Sequence, residues 1–409
     1  MELTPFRCLR PAPRLVGRQV SAPLDVFDRD RAFGLVAANP LSFLAIDWPD
    51  TLYPLEAHVD LTEAYAKARD LLEWRRERGV LVEDDEPSLY VYTMEKGGHR
   101  QTAVVGCLSV ESFLDGTVRR HESTLEEKED ARAAHIDALG AQTGPVFLTF
   151  GDSDDVSRAV ADVQGGEPLY RFTADGVAQT VWRVPAGGKG RALAEAFSGV
   201  GAAYVADGHH RAASAVRVAL ARRAADPSLP ADAPCNRVLV AMFPAGQLKV
   251  LSYHRMVGGV GEAEREGLAA AVEAAGFSAS PADGPVAPDE KGAFGMFDGA
   301  CWWLLRAPEP EGDDPVAALD VSALQERVLG PVLSVADPRR DPRLTYVAGT
   351  VGPEALEAAA REAGDAVAFT VCPTAIDELM AVADAGELMP PKSTWFTPKP
   401  FCGLFVRRV

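Results

Sequence analysis

The pattern of apolar and polar positions predicts regular elements from the first hundred residues onward. Residues 61–80 place apolar side chains on one helical stripe, and Gly79 stands where such a helix would end. Residues 89–94 and 102–110 have the apolar, β-branched and aromatic character of strands. Because the polar turn EKGGHR joins these two segments, they predict a β-hairpin.

The charged segment 121–139 predicts a helix that begins with a capping box. Ser123 or Thr124 could cap it, with Glu126 or Glu127 three residues further on. The helix would then extend through an alternation of charged residues and alanines.

A strand, a turn and a helix follow one another around residue 207. The apolar segment 202–206 runs straight into Asp-Gly-His-His-Arg, and the alanine-rich segment 212–225 predicts a helix whose first turn begins near Arg211. Since helices and strands alternate along the chain, the fold class is α/β or α+β. Pro/Asp/Gly-rich loops become frequent after residue 260, so we expect a core over 1–260 and a C-terminal α+β region over 261–409 that closes on it.

Composition narrows the function classes. The 409 residues carry a formal net charge of −18, which argues against nucleic acid as a partner because such binding needs a basic surface. The six cysteines form no C-x-x-C pair, which fits a reducing cytoplasm and argues against a zinc site. Because no apolar run is long enough to span a bilayer, we expect no membrane partner and a cytoplasmic location.

Residues 207–211 are the clearest candidate for chemistry. A helix that starts directly after a strand offers free N–H groups, which bind anions. Gly208 lets the backbone approach a ligand, Arg211 can grip a phosphate with two hydrogen bonds, and His209 and His210 titrate near neutral pH. The alternative is a surface turn in which Asp207 caps the helix.

This turn resembles the nucleotide-phosphate loop of the superfamily that contains sulfiredoxin, the chromosome-partitioning protein ParB and the free serine kinases. A wider resemblance, to the family catalogued as domain of unknown function 1015, runs through nearly the whole chain. It rests on the ordered strings RPAPRLVGRQVSAPLDVF, NPLSFLAID, HESTLEEKEDARAAHID, TGPVFLTF, YVADGHHRAASA and MPPKSTWFTPKPFCGLF. The resemblance implies a ParB/sulfiredoxin-like nucleotide-binding core, elaborated with extra strands and helices, and it implies phosphotransfer.

The resemblance also implies a catalytic base. Asp25, in APLDV, is similar in position to the acidic residue that takes the hydroxyl proton of the substrate in free serine kinases. The sequence alone leaves a second interpretation open, because Asp25 or Asp28 could simply cap a helix.

Two other segments offer binding residues. His121 and Glu122 precede the charged helix and could contact substrate, and Lys128 could face the nucleotide phosphates, although an exposed ion-paired helix is the alternative. Lys392, Ser393 and Thr394 resemble the end of a Walker motif without its glycines, so we reject that motif. A loop carrying Lys392 could still close over a polyanion, with Ser393 and Thr394 beside the substrate.

The cofactor expected from this set is Mg²⁺ bound through nucleotide phosphates, with Glu122 as a further ligand. Because the histidines lack the spacing of zinc ligands, we expect no metal cage built by the protein, and no zinc, haem or flavin.

Three functions compete. The first is a kinase that uses a nucleotide and Mg²⁺ to phosphorylate a small hydroxylated metabolite, with serine implied by the resemblance. The second is a phosphatase acting on a small phosphorylated metabolite such as phosphoserine, with His209 or His210 as acid or nucleophile. The third is a non-catalytic nucleotide-binding switch. The sequence leaves open whether the chain forms a homodimer.

Overall fold

The computed structural model describes residues 1–310 and 312–409, and within them every side chain except that of Asp25. Helices and several separate sheets share the chain, so the α+β class is confirmed. Within the described residues, no helix combines the length and apolar character that a bilayer crossing needs. The α-helices are α1 Val16–Gln19, α2 Arg29–Ala38, α3 Leu44–Asp47, α4 Leu61–Glu77, α5 Glu111–Leu114, α6 Glu126–Leu139, α7 Asp154–Gln164, α8 Lys189–Ala196, α9 His209–Ala225, α10 Glu262–Glu266, α11 Leu268–Ala274, α12 Asp320–Leu324, α13 Pro353–Ala363 and α14 Ile376–Asp384.

The strands alternate with these helices along the chain. They are β1 Cys8–Pro11, β2 Leu81–Glu83, β3 Ser88–Lys96, β4 His99–Ser109, β5 Val118–Arg119, β6 Ala141–Gln142, β7 Val146–Phe150, β8 Tyr170–Ala174, β9 Val177–Pro185, β10 Ala203–Asp207, β11 Arg237–Pro244, β12 Val250–Leu251, β13 Tyr253–Val257, β14 Ser278–Ala282, β15 Ala293–Phe297, β16 Trp302–Arg306, β17 Leu344–Ala348, β18 Val367–Val371, β19 Trp395–Phe396 and β20 Val406–Arg408.

The chain divides into two compact units, residues 1–248 with 398–409, and residues 249–397. The boundary expected at 260 falls inside the second unit, because β13 pairs there with β17 and β18. The end of the chain returns to the first unit, where β20 pairs with β1 and β6. Closure of the C-terminal region on the core stays a prediction.

The first unit is built on an eight-stranded mixed sheet in the order β5-β10-β7-β11-β4-β3-β9-β8. Strands β7 and β11 lie parallel in its centre, and every residue of β7 is buried, as expected for strands covered on both faces. The predicted hairpin is confirmed as β3 and β4. Its turn holds Gly97 and Gly98 at φ of +55° and +80°, a conformation that side chains with a Cβ disfavour.

Helices α6 and α9 pack against each other beside this sheet. The Ser214 hydroxyl donates to the carbonyl of Glu129 at 3.0 Å, and Arg222 pairs with Asp137 at 2.9 Å. The predicted capping box of α6 is wrong, because the helix begins at Glu126 and Leu125 at its N-cap offers no side-chain acceptor. The Thr124 hydroxyl instead donates to the Glu129 carboxylate.

The first unit also holds a four-stranded antiparallel sheet in the order β2-β1-β20-β6. Helix α4 matches the predicted amphipathic helix, and its end is followed by Gly79 at φ +65°. The second unit contains a six-stranded antiparallel sheet in the order β14-β16-β15-β18-β13-β17, with β12 and β19 paired separately. Every residue of strand β18 in the six-stranded sheet is buried.

Candidate functional site

Strand β10, Gly208 and helix α9 form the predicted strand–turn–helix. Gly208 has φ +89°, in the left-handed region that favours glycine, and α9 begins directly after it, two residues before the predicted start. None of the described side chains caps α9. The capping role considered for Asp207 is therefore not observed, and the first N–H groups of a 17-residue helix receive no acceptor from a cap.

Asp207 instead pairs with Lys399. The Lys399 ammonium lies 3.2 Å from a carboxylate oxygen of Asp207, and the lysine side chain is only 7% exposed. The sequence pattern indicated Lys392 as a binding residue but not Lys399 in the same stretch. The signal that could have found it is its setting between two prolines in TPKPF, next to apolar residues that mark a buried segment.

Arg211 lies in a buried cluster rather than at the open end of the turn. Its guanidinium is 3.5 Å from a carboxylate oxygen of Asp47 and 3.0 Å from the sulfur of Cys402. A Cβ at Gly144 would collide with it, so the glycine provides the space for this side chain. Burial alone would lower the pKa of Arg211, but the charges of Cys402 and Asp47 raise it above its ordinary value.

Asp47 is the centre of this cluster. Its fully buried carboxylate accepts hydrogen bonds from Arg132 at 2.7 Å and from the Thr143 hydroxyl. Burial acts to raise the pKa of Asp47, but Arg132 and Arg211 hold it well below its usual range. Asp47 ends the string NPLSFLAID and was not among the predicted site residues. A single acid that ends an apolar run was the available signal.

His121 and His209 face each other above the turn. Their rings meet edge to face with centroids 4.6 Å apart, and both are buried. Burial is the main cause that lowers the pKa of His121 to about 4. Burial, followed by the charges of His121 and His210, lowers that of His209 well below its ordinary value. Both imidazoles are therefore neutral at neutral pH.

Glu122 completes this group. One of its carboxylate oxygens is 3.6 Å from Nδ1 of His209, and its side chain is 42% exposed. Within the described residues, donor atoms of His121, Glu122 and His209 converge to within 4.8 Å of one another, as the ligands of a metal ion do. The spacing along the sequence gave no indication of this arrangement. Mg²⁺ prefers oxygen ligands, whereas this group offers two imidazoles and one carboxylate. The expected role of Glu122 toward Mg²⁺ stays a prediction.

His210 and Lys128 occupy different surroundings. The Nε2 atom of His210 accepts a hydrogen bond from the backbone N–H of Leu125 at 3.1 Å, which ties α9 to the loop before α6. Lys128 is exposed on α6. Arg132 and His135, on the same helix, turn inward: Arg132 contacts Asp47, and His135 Nε2 lies 2.8 Å from the carbonyl of Ile46.

Asp25 and the residues of the C-terminal stretch are the remaining predicted site residues. Asp25 belongs to a 3₁₀ turn over Leu24–Val26, and its side chain is not among those described, so its role as base stays a prediction. Asp28, not Asp25, caps α2, accepting a hydrogen bond from the N–H of Arg31 at 2.7 Å.

The three residues of the C-terminal stretch belong to the second unit. Lys392 is exposed, and its ammonium lies 5.2 Å from the ring centroid of Tyr253. The Ser393 hydroxyl donates to the carbonyl of Pro390 at 2.7 Å, and Thr394 is half-buried. Substrate contacts by Lys392, Ser393 and Thr394 stay predictions.

Comparison with models of protein families shows which family the chain belongs to. A family described as protein of unknown function (DUF1015) matches residues 3–322. The chain belongs to the DUF1015 family. Among curated proteins, no sequence matches this DUF1015 member.

Solved structures offer more distant likenesses to the DUF1015 chain. A free serine kinase variant in complex with ADP is 13% identical, with a TM-score of 0.36, over 72% of this chain and 87% of the kinase. SbnI from Staphylococcus aureus, truncated at its C-terminus, is 13% identical, with a TM-score of 0.37, over 74% of this chain and 87% of SbnI. A conserved hypothetical protein from Pyrococcus furiosus is 15% identical, with a TM-score of 0.34, over 73% and 94%.

The site of this DUF1015 protein thus has two chemically distinct parts. One is a glycine turn at a helix start, with Lys399 beside Asp207, which offers N–H groups and a cation to an anion. The other is a carboxylate with two neutral imidazoles. Arg211, on the first turn of α9, contacts Asp47 and Cys402.

Proposed function

We propose that the protein is a nucleotide-dependent phosphotransferase whose phosphate site is the turn from Asp207 to the first residues of α9. The observation that carries this proposal is the left-handed Gly208 followed directly by a long helix with no side-chain cap. Such a helix start presents several N–H groups and partial positive charge to a bound phosphate.

Lys399 is the cation that the proposal assigns to the phosphate. Its buried ammonium next to Asp207 is held at the turn, so it needs little further ordering to contact an anion. Arg211 has a supporting role here, because a direct phosphate contact would require its guanidinium to leave Asp47 and Cys402. Any Mg²⁺ would arrive with the nucleotide and be held by its phosphates.

The acceptor in this proposal is a small hydroxylated metabolite, and serine is the one implied by the sequence resemblance. Asp25 takes the proton of its hydroxyl as the phosphoryl group is transferred. Positioning and charge stabilisation contribute most of the rate in such reactions.

Ligand binding tests the phosphate site. Untagged protein is screened by thermal shift with Mg²⁺ and ATP, ADP, CTP, serine, phosphoserine or inorganic phosphate. A ligand at 100 times its dissociation constant stabilises the folded protein by about 2.7 kcal/mol. If none of these ligands produces a shift, the proposed phosphate site is refuted.

Lys399→Met tests the assigned cation. A hydrogen bond to a charged group contributes about 1.5–3 kcal/mol, so we expect phosphate or nucleotide binding to weaken roughly 10- to 150-fold. Lys189→Met is the matched control, because Lys189 makes an ion pair with Asp162 at 3.0 Å on the exposed surface. Equal affinities for wild type and Lys399→Met, measured by titration calorimetry, would remove Lys399 from the site.

Asp25→Asn tests the proposed base. We expect the variant to bind nucleotide normally but to lose phosphoserine formation from ATP and serine, followed by ³¹P NMR. Asp28→Asn is the control, because Asp28 caps α2 three residues further along the chain. Normal turnover by Asp25→Asn would show that another group accepts the proton.

One observation favours phosphatase chemistry as a second candidate. The neutral, buried His209 imidazole beside Glu122 could act as a nucleophile toward a phosphorylated metabolite. Release of inorganic phosphate from phosphoserine without consumption of nucleotide identifies this reaction. Nucleotide binding with neither reaction identifies the non-catalytic switch.

A further inference from the structure

Two buried imidazole nitrogens near the turn have no hydrogen-bond partner among the described side chains and backbone. They are Nδ1 of His121 and Nε2 of His209, in side chains that are 2% and 7% exposed. Buried polar atoms in folded proteins nearly always have a partner, so each unpaired atom requires an explanation. The ring centroid of His121 lies 4.6 Å from that of His209, so its unpaired Nδ1 belongs to the group that also holds Glu122. His209 turns its other nitrogen, Nδ1, toward Glu122.

The backbone fixes which nitrogen of His121 is available. His121 makes a hydrogen bond with the backbone of Val205, and since its Nδ1 has no partner, the bond is made by Nε2. A ring that donates Nε2–H to a carbonyl carries a bare lone pair on Nδ1. Metal-binding histidines characteristically donate their other N–H to a carbonyl or carboxylate, which orients the ring and fixes its tautomer.

The spacing within the group also suits a metal ion. Glu122 Oε2 and His209 Nδ1 are 3.6 Å apart, too far for a hydrogen bond. Two ligands that lie about 2.0–2.2 Å from one ion at tetrahedral angles are roughly 3.3–3.6 Å apart. Donor atoms of all three residues lie within 4.8 Å of one another, so small side-chain rotations would bring them onto one ion.

We propose that His121, Glu122 and His209 bind a divalent transition metal ion of the Zn²⁺ type directly. Two imidazoles with one carboxylate are ligands typical of zinc and related metals rather than of Mg²⁺. Three protein ligands leave a coordination position for water or for an oxygen of a bound molecule, as in catalytic metal sites. Glu122 is partly exposed, so this position can be reached from solvent. The site does not depend on the phosphotransferase proposal.

Metal binding to the untagged, chelator-treated full chain tests this site. Zn²⁺ is titrated by calorimetry, and Co²⁺ is added in parallel because its visible absorption reports the number and type of ligands. Neither nucleotide nor phosphate is present, so failure of the phosphate-site proposal would not affect the result. We expect one equivalent of metal, with affinity retained in excess Mg²⁺.

The variants assign the ligands. Glu122→Gln is nearly isosteric at a partly exposed position, so it should fold, and His121→Ala and His209→Ala remove the imidazoles. Mutation of residues that hydrogen-bond to metal ligands typically weakens metal binding about 10- to 100-fold. We therefore expect each of the three ligand changes to weaken metal binding at least about 100-fold. His99→Gln, at the turn of the β3–β4 hairpin, is the histidine control away from the group. Substoichiometric binding, or binding that Glu122→Gln leaves unchanged, overturns the proposal.

Discussion

Replacement of Asp47 by asparagine should destabilise the first unit more than any surface change of the same kind. The Asp47 side chain is fully buried and accepts hydrogen bonds from Arg132 and Thr143, with Arg211 3.5 Å away. Asparagine keeps the size of the side chain but removes the negative charge. Two arginines would then share a buried site without their counter-ion.

The magnitude follows from the geometry. Removal of one partner from a buried ion pair typically costs about 3–5 kcal/mol. Arg132 and Arg211 are 14% and 18% exposed, and Arg211 keeps its contact with Cys402, so we expect a value near the low end, about 3 kcal/mol. For a unit of this size, each kcal/mol lowers the melting temperature by about 2–4 °C, which predicts a loss of about 6–12 °C.

Urea unfolding and calorimetry measure this effect, with Asp137→Asn as the matched control. Asp137 pairs with Arg222 at 2.9 Å, but its side chain is 65% exposed, so this change should cost less than about 1 kcal/mol. Because the pKa of folded Asp47 lies below its ordinary value, its stabilisation is present above about pH 4 and is lost as the pH falls further. If Asp47→Asn lowers the free energy of unfolding by no more than Asp137→Asn does, Asp47 is not the centre of the cluster.

Two further changes test the same unit. The folded pKa of His135 is lowered by burial, and then by Arg132, to about 4, so its contribution to stability is present above pH 6.5 and is lost as the pH falls toward 4. His135→Gln should therefore flatten the decline in unfolding free energy between pH 6.5 and 4 by up to about 1.4 kcal/mol per pH unit, and urea titrations with an unchanged slope would contradict this. Gly403→Ala should lower the free energy of unfolding by about 3 kcal/mol or more, because φ is +73° and the new Cβ would collide with the Phe43 ring. Gly140→Ala, at φ +60° in open space, should cost about 1–2 kcal/mol, and equal losses would contradict the steric argument.

Local patterns predicted the elements well because their signals lie within a few residues. The hairpin β3–β4 and helix α4 occur where apolar periodicity and glycine turns indicated them. The predicted start of α6 was wrong because Ser123 and Thr124 match the sequence of a capping box but lie in the loop before the helix. In the fold that loop positions His121 beside His209 instead of beginning the helix.

The contacts of the site were predictable only in part, because they join distant segments. The sequence indicated the turn at Gly208, since strand, glycine and helix are consecutive there. Arg211 contacts Asp47, 164 positions away, and Cys402, 191 positions away. No periodicity encodes such pairs. Their identity depends on the sheet order, which the sequence pattern does not specify.

The last residues of the chain tie these segments together. Residues 398–409 supply Lys399 to Asp207 and Cys402 to Arg211. The backbone N–H of Cys402 donates to the carbonyl of Ser21 at 2.8 Å, and β20 inserts between β1 and β6. Asp207 therefore has its ion pair with Lys399, and Arg211 its contact with Cys402, only when the chain end is docked. The turn over residues 207–211 carries the resemblance to nucleotide-binding loops, but the cation beside Asp207 comes from a segment nearly 200 residues later, so assays of this turn require a chain that retains its C-terminus.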